Sequence, residues 1–419
     1  MLNSPNSFSV VFLAALALMI TLRLWLGQRQ ITHILRHREA VPSQFAERVS
    51  IYAHQKAADY SVTRTRFGRL GLAVEVAVLL AFTFGGGLQL LHDFWSARLD
   101  GLSYGVALIV SVMTISGLID LPLSLYTQFV IEERFGFNRM TLRLFFADLA
   151  KQLALGLIIG IPVLLAVLWL MAQMGANWWL HVWLFWCGFN LLILFIYPAW
   201  IAPLFNKFTP LEDAALKQRI EALLTRCGFA SSGLFVMDGS KRSAHGNAYF
   251  TGFGKTKRIV FFDTLLGRLQ PEEVEAVLAH ELGHFRHRHI VKRIVMIFAM
   301  TLLLLYALGQ LMTTDWFFAG LGVSEASAHN TAMALILFFL TVPVFTFIAT
   351  PLASLLSRRH EYEADRYAAE HASAADLVQA LVKLYEDNAA TLTPDPLHSL
   401  FYDSHPPAAL RIARLTAST

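Results

Sequence analysis

The chain has 419 residues, enough by length for two or three soluble domains. Hydrophobic residues make up 56% and charged residues 15%, against roughly 25% charged in a soluble chain, and the mean hydropathy is +0.51. This excludes a purely soluble protein, while the mild net charge of +4, without any basic run interleaved with aromatics, argues against a nucleic-acid partner.

A helix needs about 20 consecutive apolar residues to cross a bilayer core. Seven stretches meet that length: 8–26, 70–92, 102–126, 153–174, 179–202, 290–312 and 331–355. The segment before the first, MLNSPNS, has no Lys or Arg, and no small-x-small cleavage site precedes the next charged loop. The first stretch is therefore expected to be a retained helix. Arg23, Glu75, Asp120 and Asn190 lie at or near membrane depth, where polar groups pair, snorkel, or face the bundle interior or water.

Charge in the loops sets the expected orientation. The loop after the first span carries Arg29, Arg36, Arg38, Arg48, Lys56, Arg64 and Arg66, and the 127–152 loop carries Arg134, Arg139, Arg143 and Lys151. On the other side, 93–101 has only Arg98 and 313–330 has no Lys or Arg. The N-terminus is expected outside, with the large loops and the C-terminus in the cytosol. Four parts follow: residues 1–202 with spans one to five, a soluble segment 203–289, residues 290–355 with spans six and seven, and a soluble tail 356–419.

Within 203–289, Leu216, Ile220, Leu223 and Leu224 fall on one face of a helix over Glu212–Arg226. SGLFVMD (232–238) and RIVFFD (258–263) read as short strands, with GNAYFTGFG between them as a turn or irregular edge strand. Pro271 suits a first helical turn, and Glu272 and Glu273 suit its positive end. Cys187 and Cys227 have no CxxC partner and are expected to remain two separate thiols.

The helix begun at Pro271 carries His280-Glu281-Leu282-Gly283-His284, an H-E-x-x-H pattern. Residues i and i+4 share a helix face, so His280 and His284 can grip one zinc ion. Glu281 is the candidate general base, beside a water whose pKa zinc would lower. A catalytic zinc takes three protein ligands and keeps one position open. On one continuous helix His280, His284 and His287 form a single stripe, which cannot surround an ion, and His289 is rotated farther away. His287 and His289 are expected to support a ligand or to face water or headgroups. The third ligand is expected from SRRHEYEADRYAAE (357–370), as Glu361. Asp365, four residues on, is placed to bond the far nitrogen of a ligating histidine. Glu363 is expected to face elsewhere.

Six blocks then resemble the integral-membrane zinc metalloproteases of the CAAX prenyl protease type. They are EERFGFNRMTLRLFFADLAKQ (132–152), YPAWIAPLFNKFTPL (197–211), KRSAHGNAYFTGFGKTKRIVFFDTLL (241–266), VEAVLAHELGHFRHRH (274–289), SRRHEYEADRYA (357–368) and DPLHSLFYDSHPPAALRIARL (395–415). The resemblance implies an all-α membrane protein. Its seven helices would enclose a water-filled chamber, and a small α+β, gluzincin-like metalloprotease domain would close the cytosolic side. It implies one Zn²⁺ per chain on His280, His284 and Glu361, with Glu281 as base. Through the NAYFTG block it implies Asn247, Ala248 and Tyr249 as the strand that lines the substrate. Through the HPP block it implies His405 and Arg411 as groups that stabilise the oxyanion.

The function expected is a membrane zinc endopeptidase acting on a peptide or membrane-protein substrate, lipidated or not. One alternative is a membrane-protein quality-control protease without prenyl dependence. Another is a zinc transporter or metal sensor, which would need ligands near the bilayer midplane on discontinuous helices. RIARLTAST ends without a KDEL or terminal dilysine signal, so a bacterial inner membrane is expected rather than the endoplasmic reticulum.

Overall fold

The structure, a computed structural model, describes residues 7–251, 258–324 and 331–417. The N-terminal half is built from α1 (Ser7–His37), α2 (Ile51–Phe82), α3 (Gly87–Ser96), α4 (Gly101–Tyr126), α5 (Leu142–Leu155), α6 (Ile161–Gln173), α7 (Trp178–Ile196) and the short α8 (Ala202–Phe205). A soluble unit follows: β1 (Phe208–Pro210), α9 (Ala214–Arg226), β2 (Leu234–Met237), β3 (Ala248–Thr251), β4 (Arg258–Phe262), α10 (Asp263–Leu266) and α11 (Pro271–Arg286). Then come α12 (His289–Leu311), α13 (Asp315–Ala319), α14 (Thr331–Thr346), α15 (Thr350–His371), α16 (Ala374–Asp387), α17 (Pro396–Tyr402) and α18 (Ala408–Ala417).

Among the described residues, six helical stretches are long and apolar enough to cross a membrane, and a seventh span is the pair α2 and α3, bent by 49°. The expected second span thus breaks partway. Gly85, Gly86 and Gly87 sit at the break, and Gly86 adopts φ +75, a conformation that glycine tolerates without strain. The last span does not stop at the membrane. It continues as one helical stretch over Thr331–His371, so Glu361 and Asp365 ride on the extension of a membrane helix.

Polar groups inside the spans find partners. Arg23 on α1 pairs with Glu75 on α2 at 2.9 Å. Asp120 accepts from the Ser124 hydroxyl at 3.0 Å, and the Asn190 amide donates to the Trp186 carbonyl at 2.8 Å.

Two apolar cores lie far apart. One joins the ends of the spans remote from the soluble unit, with Phe12, Leu108, Leu168, Val182, Leu308 and Phe317. The other is the core of the soluble unit, with Ile220, Phe261, Leu278, Leu381 and Ile412. Between them the helices are loosely covered: only 6–17% of the apolar window is buried in Gly101–Glu132, Leu142–Gln173, Gly175–Phe205 and His289–Leu311. A solid bundle buries one face of every helix. Spans with so little buried surface, joined at each end by a packed core, fit a bundle that encloses a chamber.

The sheet of the soluble unit runs in the order β1-β2-β4-β3. β2 and β4 pair in parallel, while β1 and β3 pair antiparallel to their neighbours. β3 is therefore an edge strand, as its glycine-flanked, aromatic sequence suggested. β1, only three residues long and ending in Pro210, is too short to leave an alternating pattern in the sequence. On α9, Leu216, Ile220, Leu223 and Leu224 are buried, as their spacing predicts. Pro271 opens α11, and the Gln270 N–H donates to Glu273 at 2.7 Å in a reciprocal cap.

Candidate metal centre

Two helices make the centre. α11 carries His280, Glu281 and His284 over its last two turns, and α15 crosses it with Glu361 and Asp365. Gly283 sets their distance: a Cβ at this position would lie 2.8 Å from the Ala364 Cα and 3.1 Å from its carbonyl oxygen. Backbone meets backbone there, so no larger residue fits without parting the helices.

This approach brings three donor atoms together. His280 Nε2 and His284 Nε2 are 3.2 Å apart, and each lies 3.4 Å from a Glu361 oxygen. Ligand atoms about 2.0–2.2 Å from a tetrahedral zinc lie about 3.3–3.6 Å from one another. Glu361 Oε2 is buried and accepts no hydrogen bond. A buried lone pair without a donor is costly unless a cation takes it, so the residues present fit a zinc ion. Glu281 is half-buried beside them, and its carboxylate makes no hydrogen bond or ion pair among the described residues.

The far nitrogen of each imidazole is also fixed. His280 Nδ1 donates to Asp365 Oδ1 at 2.8 Å, which leaves Nε2 bare as a ligand atom. Burial lowers the His280 pKa, but the Asp365 and Glu361 carboxylates outweigh it and push it up to about 9. That is the signature of a field built for positive charge. Arg411 on α18 holds Asp365 in turn, through Nε at 2.8 Å and Nη2 at 2.5 Å, and its Nη1 lies 3.6 Å from Glu361. It is buried, with only 6% of its side chain exposed. Its guanidinium thus sits behind the ligands, committed to their carboxylates.

The support of His284 selects the first of the alternatives read for His289 and corrects the reading of Glu363. With Nε2 as ligand atom, His284 carries its proton on Nδ1 and donates to His289 Nδ1 at 2.9 Å. His289 then donates through Nε2 to Glu363 at 2.9 Å. His289 is buried and stacks on His360 at 4.0 Å, so it faces neither water nor headgroups. Glu363 does not turn away either. It completes this chain and also accepts from Arg359 at 3.2 Å. The cause is Arg288, whose φ of +56 ends α11 and swings the start of α12 back against α15. His287 stays exposed.

Two family models cover nearly the whole chain. One, for the CAAX prenyl protease N-terminal region with five membrane helices, matches residues 30–207; the other, for peptidase family M48, matches residues 210–419. CAAX prenyl protease 1 of Saccharomyces cerevisiae is 34% identical over 401 residues, covering 90% of this chain and 88% of that protein. The Homo sapiens CAAX prenyl protease 1 homolog is 32% identical and covers 97% of this chain and 95% of its own. The chain belongs to the CAAX prenyl protease 1 family. The crystal structure of S. mikatae Ste24p matches it with a TM-score of 0.91 at 30% identity, covering 97% of this chain and 99% of that one. These relatives are eukaryotic and give the expectation of a bacterial inner membrane no support. Membership in the M48 peptidases makes the chain a membrane metalloprotease.

The other expected site residues of this family member surround the centre in different ways. His405 lies on the rim, 61% exposed, with Nε2 3.4 Å from Glu361. Asn247 ends the loop before β3, and its carbonyl accepts from the Phe262 N–H at 3.0 Å. Among the described residues, Ala248 and Tyr249 pair with Phe261 and Val260 of β4 along one edge only. Phe250 packs against Phe285 of α11, ring centroids 5.0 Å apart, which seats the edge strand beside the metal helix.

Gly283→Ala is expected to part α11 from α15 at a cost of about 1–3 kcal/mol. Purified protein should hold well under one metal per chain by elemental analysis. His289→Ala should keep the fold and lower zinc affinity about 10–100-fold, read by competition with a chromophoric chelator.

Proposed function

We propose that the chain is a zinc-dependent endopeptidase that cuts extended peptide tails, those of prenylated proteins among them, at the membrane face. The observation that carries this reading is the meeting of His280 Nε2 and His284 Nε2, 3.2 Å apart and each 3.4 Å from one of the two Glu361 oxygens, with an unbonded Glu281 beside them. When bound there, zinc supplies a Lewis acid that polarises the scissile carbonyl and acidifies water. Glu281 takes the proton of the attacking water and passes it to the leaving amine. His405, exposed on the rim, donates to the oxyanion as it forms. Arg411 acts through Asp365 and Glu361, as a positioning group for the ligands. The open edge of β3, from Asn247 to Tyr249, offers main-chain hydrogen bonds to an extended peptide whatever its side chains.

The relatives are named for CAAX prenyl substrates, and their coverage of the full chain supports the same class here. The basic loops on the side of the soluble unit support a cytosolic active site. A transporter reading has less support, since the ligands lie on α11, before the span α12, and on the part of α15 that extends beyond the last span, and not on helices broken at the midplane. Main-chain recognition by β3 keeps the quality-control reading open as the second choice.

Glu281→Gln should lower the cleavage rate by about 10²–10⁴-fold while metal content stays at the parent level. Cleavage of a prenylated CAAX peptide and its unprenylated twin, each with and without a zinc chelator, tests the substrate. Chelator should stop both reactions, and the prenylated peptide should be cut faster. Equal rates would favour the quality-control reading, and chelator-resistant cleavage would refute the zinc mechanism.

A further inference from the structure

α1 has 31 residues, a length of about 46 Å at 1.5 Å per residue. The hydrocarbon core is only about 30 Å thick. Counted from Phe8, about 20 residues take α1 through it, so the core ends near Gln28. On α2 the apolar run starts at Leu70, directly after Arg69. Gln28 and Arg69 thus sit at headgroup level. The leaflet is the one on the side of the soluble unit, because the loop between α1 and α2 inserts Phe45 and Val49 into that unit's core.

At this level the two helices form a recess of about 550 Å³. Gln28, Ile31, Leu35 and Arg36 line it from one face of α1, and Arg66 and Arg69 from α2. Its charge is unusual for this helix pair. The neighbouring arginines are matched: Arg23 with Glu75 at 2.9 Å, Arg29 with Asp395 at 2.9 Å, Arg38 with Asp59 at 2.8 Å, and Arg64 with the Tyr60 hydroxyl at 3.3 Å. Arg36, Arg66 and Arg69 have no carboxylate partner among the described residues. Arg69 donates through Nη2 to Gln28 at 2.8 Å, and its Nε, packed close to Gly27, is buried without an acceptor. Gln28 is itself steadied by Thr32, to which its amide donates at 3.1 Å.

Three like charges around one recess repel, and more so beside a low-dielectric membrane. What the recess lacks is an anion. Guanidinium forks match phosphate oxygens, while Ile31 and Leu35 offer apolar contact where a glycerol and the start of an acyl chain would pass. We infer that this recess binds the headgroup of an anionic phospholipid in the leaflet on the side of the soluble unit. Arg69 and Gln28 meet the phosphate at the boundary. Arg66 and Arg36 lie beyond it, Arg36 about 12 Å further along α1 than Gln28, and hold the outer part of the headgroup.

The full chain in detergent micelles, titrated with phosphatidylglycerol or phosphatidylcholine and read by native mass spectrometry, tests this. The parent should retain phosphatidylglycerol in preference to phosphatidylcholine, and added salt should weaken that preference. Each of R36Q, R66Q and R69Q should reduce it about fivefold. The triple R36K/R66K/R69K should keep most of it, and metal content should match the parent in every variant. If R69Q does not fold, R66Q alone carries the test, since Arg66 is exposed. Equal retention of the two lipids by the parent, or an unchanged preference in the glutamine variants, would overturn the site. Complete displacement of the lipid by millimolar inorganic phosphate would overturn the lipid and leave a soluble phosphate in its place.

Discussion

The close crossing of α11 and α15 is the contact on which the rest depends. At Gly283 and Ala364 the two backbones meet with no room for another carbon. Only at that distance does Glu361 reach the two imidazoles of α11. Both helices are tied to the membrane, since only two residues separate α11 from α12 and α15 continues the last span. The metal centre is thereby braced by two membrane helices and not merely attached to them.

The two imidazoles are held by different means. Behind His280 lies a buried ionic group in which Arg411 bridges Asp365 and Glu361. Burying such charges is costly unless each is fully paired. Here two carboxylates face one arginine, and a divalent cation bound at the site would supply the missing positive charge. Behind His284 lies a chain of mostly neutral groups ending in Glu363, at a half-exposed surface. Each chain settles which ring nitrogen stays bare, and both leave Nε2 facing the same point.

Chamber and site belong to one design. Spans that bury little of their surface surround a hollow, and the soluble unit closes one end with the metal helix and the β3 edge. A peptide held along that edge lies beside α11 because Phe250 packs on Phe285. The hollow lets a substrate anchored in the bilayer approach a water-dependent reaction.

The sequence alone determined what depends on short-range geometry. Seven apolar runs follow from the thickness of a bilayer, and the pairing of His280 with His284 follows from the helical repeat. Glu361 and Asp365 were legible for the same reason, since E-x-x-x-D puts two carboxylates on one face. Tertiary structure decided the rest. Arg288 enters a left-handed conformation, and periodicity cannot anticipate that. It decided between the alternatives for His289, making it the support of His284, and gave Glu363, 74 residues away, its partner. Arg411 and Asp365 are 46 residues apart and meet only because α18 packs beside α15. Gly283 sets the helix separation through its missing side chain, which the motif does not announce. Local hydrogen bonding writes its period into the sequence, whereas the meeting of distant faces is fixed by packing, which leaves no period to read.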